Sequence, residues 1–118
     1  MKPLSRNESL PRRSPNRTRS HQSATMPIGV LTLELYIPHA HSLKEKRMVV
    51  RSVKERLRAR FNVAVAELDH QDLWQRSLLG VVSISGDQKA IERLLETVQR
   101  ESEALLGDDL VGVQLEWF

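Results

Sequence analysis

The sequence predicts one small α+β domain over residues 26–118, in the order strand–helix–strand–strand–helix–strand. Three observations carry this. Four short apolar runs have strand character, two longer runs repeat their apolar residues at helical spacing, and capping or glycine signals mark the joints between them.

Taken in order, the first strand is Ile28–Ile37, where Leu31, Leu33, Leu35 and Ile37 alternate with Val30, Thr32, Glu34 and Tyr36, and Pro38 ends it. Ser42-Leu43-Lys44-Glu45 then reads as a capping box, with Ser42 and Glu45 each satisfying a free backbone N–H. The first helix follows from Leu43 to about Arg60, and Leu43, Val50, Val53, Leu57 and Phe61 fall on one apolar stripe. Asn62–Leu68 and Ser77–Ser85, both rich in Val, Leu and Ile, predict a strand pair joined by the polar segment Asp69–Arg76. Gly86-Asp87 opens the second helix, with Asp87 or Ser85 as its cap. Ile91, Leu94, Leu95, Val98, Leu105 and Leu106 keep helical spacing to Gly107, where the helix stops. The last strand is about Leu110–Trp117. This order is the split βαβ arrangement of ferredoxin-like domains: a four-stranded antiparallel sheet with two helices on one face.

At 118 residues the chain holds one ordinary domain. It has no cysteine, which excludes disulfides, thiolate metal sites and cysteine nucleophiles. It shows no apolar run of membrane-spanning length and no secretory h-region, so no membrane partner is expected and the expected location is cytoplasmic. The net charge of +3 averages two unlike pieces. Residues 1–25 carry six Lys/Arg against Glu8 alone, and read as a disordered basic tail or a misplaced start, with translation beginning at Met26. Residues 26–118 hold twelve basic and fourteen acidic side chains.

Function must therefore be sought in where the charges sit. The first helix has eight basic residues and two acidic ones. Lys44, Arg47, Arg51, Lys54 and Arg58 are spaced 3, 4, 3 and 4 apart, and so form one stripe about 20 Å long that can follow a phosphate backbone. The plain alternative is a solvated face whose long stems cover apolar surface. A second candidate is the hairpin tip, where Asp69, His70, Asp72, Trp74 and Arg76 place a large aromatic beside hydrogen-bonding groups and a cation. Trp74 can stack on a base or anchor a protein partner; otherwise it folds back as a lid over the core.

Chemistry is harder to find. His39 and His41 follow the first strand and His70 lies in the hairpin, two loops expected at opposite ends of the sheet and about 25 Å apart, so no metal site is expected. No nucleophile or phosphate-cradling glycine loop accompanies Asp69, His70 and Asp72, and neither catalytic residues nor a cofactor are expected. Ferredoxin-like acylphosphatases carry a glycine-rich, Arg-ending loop after the first strand, where this chain has Pro38-His39-Ala40-His41. On the sheet face away from the helices, the expected outward residues Val30, Val63, Val65, Leu79 and Val81 form an apolar patch, with Leu78, Gly80, Val82 and Ile84 turned towards the helices. Such a patch suggests a homodimer through the open sheet face.

Three runs, Ile28–Leu35, Ala40–Arg47 and Val65–Arg76, resemble the bacterial YlxP-like family, and the likeness extends over essentially all of residues 26–118. The resemblance implies a ferredoxin-like fold and a gene setting among translation initiation and ribosome-maturation factors. It implies no established activity and no catalytic residues. The expectation is a non-catalytic accessory protein of translation or ribosome assembly, contacting ribosomal RNA or a ribosome-associated protein. The alternatives are a dimeric interaction module that binds a protein partner through the hairpin, and a small-ligand sensor.

Overall fold

The structure is a computed structural model that describes residues 26–118; the expected basic tail lies outside the described residues. Its elements are β1 (Ile28–Tyr36), α1 (Leu43–Arg60), β2 (Ala64–Asp69), β3 (Arg76–Ile84), α2 (Gln88–Leu106), a 3-10 turn at Gly107–Asp109 and β4 (Leu110–Trp117). The strands form one sheet in the order β2-β3-β1-β4, and every neighbouring pair is antiparallel. Both helices cover the same side, which is the ferredoxin-like arrangement. None of the helices described is long and apolar enough to cross a membrane.

Local chemistry sets the boundaries. Ser42 caps α1 by accepting from the Glu45 amide at 3.0 Å, and the Glu45 carboxylate accepts from the His41 amide at 2.6 Å. The reciprocal bond of the capping box thus reaches one residue further back than the pattern Ser42–Glu45 alone implies. Asp87 caps α2 by accepting from the Lys89 amide. Gly107, at φ +55, ends α2 in a backbone region that side chains disfavour.

The core lies between sheet and helices. Leu31, Leu33 and Leu35 of β1, Leu79 and Val81 of β3, and Val65 of β2 meet Val50, Val53 and Leu57 of α1 and Ile91, Leu95 and Val98 of α2. Leu43 and Phe61, at the two ends of the predicted α1 stripe, are only half-buried.

Two expectations are overturned. The parity of β2 and β3 is the reverse of that expected: Leu79 and Val81 are wholly buried beneath the helices, and Val63 and Val65 belong to the core side. Leu78, Gly80, Val82 and Ile84 therefore lie on the open face, opposite Glu34, Thr32, Val30 and Ile28 of β1. The second correction concerns the ends of the sheet. β1 and β2 both run antiparallel to β3, so they are parallel to each other, because the α1 crossover carries the chain back before β2 begins. Both strands finish at one end, and the loop after β1 meets the β2–β3 hairpin there. The Ile37 amide donates to Gln75 O at 2.8 Å, and Gln75 Nε2 donates to the carbonyls of Pro38 and Ala40.

One glycine sets how closely α2 approaches the sheet. A Cβ at Gly29 would stand 2.8 Å from Leu95 Cδ1 and 2.9 Å from Ile91 Cγ2, both side chains held in the core. Gly29→Val is expected to destabilise the domain by about 1–3 kcal/mol through overpacking. Thermal or urea unfolding checks this.

Candidate functional site

The shared end of the sheet is built around a side chain that sequence reasoning did not single out. Lys46 sits one turn into α1, and its side chain has no access to solvent. Its ammonium donates to Glu67 Oε2 at 2.6 Å and to the carbonyls of His70 and Gln71 at 2.9 and 3.5 Å. The buried Ser77 hydroxyl donates to the same Glu67 oxygen at 2.7 Å. Lys46 thus fastens the N-terminal turn of α1 to the end of β2 and to the hairpin backbone. The hairpin it holds is tightly turned. Asp69 Oδ1 accepts from the His70 amide at 2.7 Å, His70 lies at φ +67, and His70 O also accepts from the Leu73 amide. The signal for Lys46 was present in its spacing: it lies four residues before Val50 and seven before Val53, on the buried stripe.

Around this junction the structure divides the predicted residues between two surfaces. With successive residues 100° apart on a helix, Lys44, Arg47, Arg51, Lys54 and Arg58 fall on one flank of α1. Arg56 and Arg60 fall on the other flank, towards α2, where both donate to Glu101 at 3.4 and 3.0 Å. α1 packs over β2, an edge strand, so the flank away from α2 overhangs the edge of the sheet. Lys44, Arg47, Arg51 and Arg58 are exposed and Lys54 is half-buried. Among the described residues, none of these five forms an ion pair with a carboxylate.

The hairpin's aromatic end turns to the opposite side. Trp74 is 53 % exposed, so it is not a lid over the core. With Tyr36, Leu73, Gln75 and Arg76 it lines an open cleft of about 390 Å³ at the end of the uncovered sheet face. Arg76 is paired with Glu34 at 2.9 Å. Asp69 and Asp72 are exposed at the tip, and His70 is half-buried. His39, His41 and His70 lie at the same end of the sheet, so the expected 25 Å separation does not hold. Among the described residues no group of three or more His, Asp or Glu is placed to hold a metal ion.

A family described as a protein of unknown function, DUF503, matches residues 28–114. The chain belongs to this family. The uncharacterised protein YlxP of Bacillus subtilis (strain 168) is 33 % identical over 91 residues, spanning 77 % of this chain and 99 % of that one. Among solved structures, the de novo designed protein Foldit4 superposes with a TM-score of 0.53 at 18 % identity, over 80 % of this chain and 97 % of that one, a likeness of fold alone. The DUF503 description names no activity, so the chemistry of these surfaces rests on their own residues.

Removing Lys46 leaves the Glu67 carboxylate largely buried without its cation. Lys46→Met is expected to cost about 3 kcal/mol, and the double variant Lys46→Met/Glu67→Gln to cost less than the sum of the two single changes. A double-mutant cycle by chemical denaturation measures that coupling.

Proposed function

We propose that this domain is a non-catalytic accessory protein of translation or ribosome assembly that contacts RNA phosphates along the outer flank of α1. The observation that carries the reading is the unneutralised stripe Lys44, Arg47, Arg51, Lys54 and Arg58. Like charges at these spacings cost the helix about 0.2–0.5 kcal/mol per pair, and an ordinary solvated face mixes signs to avoid this. α2 does mix them, and it supplies Glu101 to the other flank of α1, while this flank has only Glu45 and Glu55 of α1 itself to offset its cations. Five cations in line over about 20 Å can displace counterions from successive phosphates. The translational setting rests on the YlxP-like resemblance.

Trp74 and Arg76 face the open side of the sheet rather than this flank, so the RNA contact is assigned to α1 alone. Arg76 is in addition engaged by Glu34.

Binding of the chain to ribosomal RNA is expected to weaken steeply with salt. With all five cations on phosphates, the slope of log K against log salt is about −3.5 on single strands and about −4.5 on duplex. Arg47→Glu/Arg51→Glu/Arg58→Glu should abolish binding. Lys89→Glu/Arg93→Glu, an equally exposed charge change on α2, should leave most of it. Filter binding across a salt series decides the matter, and wild-type binding that is weak and insensitive to salt contradicts the reading.

A further inference from the structure

The uncovered side of the sheet is apolar where an antiparallel sheet facing water is ordinarily polar. Ile28, Val30, Leu68, Leu78, Val82 and Ile84 point to it, and nothing among the described residues packs over them. Ile84 and Leu68 are 56 % and 50 % exposed. On the two central strands the polar exceptions are Thr32, Glu34 and Arg76, and each already has a partner on the same face. Thr32 Oγ1 donates to Gln114 O at 3.1 Å, and Arg76 donates to Glu34. Covering the two central strands with protein would strand none of those groups, which is the condition under which polar groups are buried cheaply. Gln114 and Glu116 face the same side on the β4 edge.

We propose that the open face of the sheet is the interface of a homodimer, anchored by Trp74. The shape of the face fits a second copy of this chain. The face rises at one end, where Trp74, Leu73 and Tyr36 stand exposed. Along the first part of β2 it is low, because Ala64 and Ala66 occupy the outward positions, and Leu68 fills the space over Gly80. A twofold axis in the plane of the interface and perpendicular to the strands would set the raised end of each copy against the opposite end of the other. That opposite end presents Ile28, Ile84 and Ala64, with Glu116 on the β4 edge beside them, so a second copy brings its Glu34–Arg76 pair near Glu116. The size also suits. Four strands of six to nine residues, about 4.8 Å apart, give roughly 500 Å² of flat face. Side-chain relief and the overhanging hairpin bring this towards the roughly 800 Å² per partner of a standard interface. Two sheets packed in this way leave both α1 flanks on the outside of the dimer. The dimer is independent of the RNA reading and its test uses no RNA.

Sedimentation equilibrium of the full chain at micromolar concentration should give twice the 13.5 kDa chain mass. Val82→Lys, which puts a charge between Val30 and Ala64 on the face, should sediment as a monomer with unchanged circular dichroism. Trp74→Ala, on the exposed hairpin, should weaken association at least about tenfold, and it decides alone if Val82→Lys fails to fold. A wild-type monomer overturns the proposal and leaves the face to a different protein. A dimer that survives the substitutions overturns it as well, because the copies then meet elsewhere, with the β4 edge next to examine.

Discussion

One ammonium group without access to water holds the functional end of this domain together. Lys46 reaches from the first turn of α1 to Glu67 at the end of β2 and to two carbonyls of the hairpin. A buried ion pair of this kind contributes little stability compared with a well-packed apolar substitute, whereas loss of one partner is costly. What it supplies here is position. The first turn of α1 and the β2–β3 hairpin, far apart in sequence, are fixed to one point, and Gln75 adds the loop after β1 to the same junction. Both candidate surfaces begin at that junction, one running down α1 and the other across the open sheet.

Much of the fold was legible because periodicity reports it directly. The α1 limits, its Ser42 cap, the Asp87 cap of α2 and the stop at Gly107 all follow from local rules that tertiary packing did not override. The orientation of β2 and β3 was not legible, and the reason is physical. Leu78, Leu79, Val81 and Val82 make β3 apolar in both phases of a two-residue repeat, so hydrophobicity carries no information about which phase faces the helices. Along β3 the open side is as apolar as the buried one, and that property both misled the reading of parity and now motivates the dimer. The separation of the histidine loops failed for a different cause. It followed strand length alone, whereas the crossover makes β1 and β2 parallel and brings their ends together.

Of the candidate residues, the α1 stripe was fully legible because helical spacing is a rule of one element. Lys46 was hidden among eight basic residues of the same helix, and only its place on the apolar stripe separated it from the rest. The hairpin residues were identifiable by type but not by direction. Arg76 and Tyr36 sit opposite each other across β3 and β1, and this pairing, which turns the Trp74 cleft to the open face, is a long-range register that no local pattern encodes. The outcome is a domain with a charged flank on its helical layer and an apolar face on the other, joined at one end by the Lys46 network.

The most direct test of this division is to follow the backbone amides and arginine side-chain signals of the isotope-labelled chain by NMR as a ribosomal RNA fragment is added. The account predicts that changes concentrate on the α1 flank from Lys44 to Arg58, while Val30, Val82 and Trp74 stay still. Changes centred on the open sheet face and the hairpin, with α1 unmoved, would contradict it.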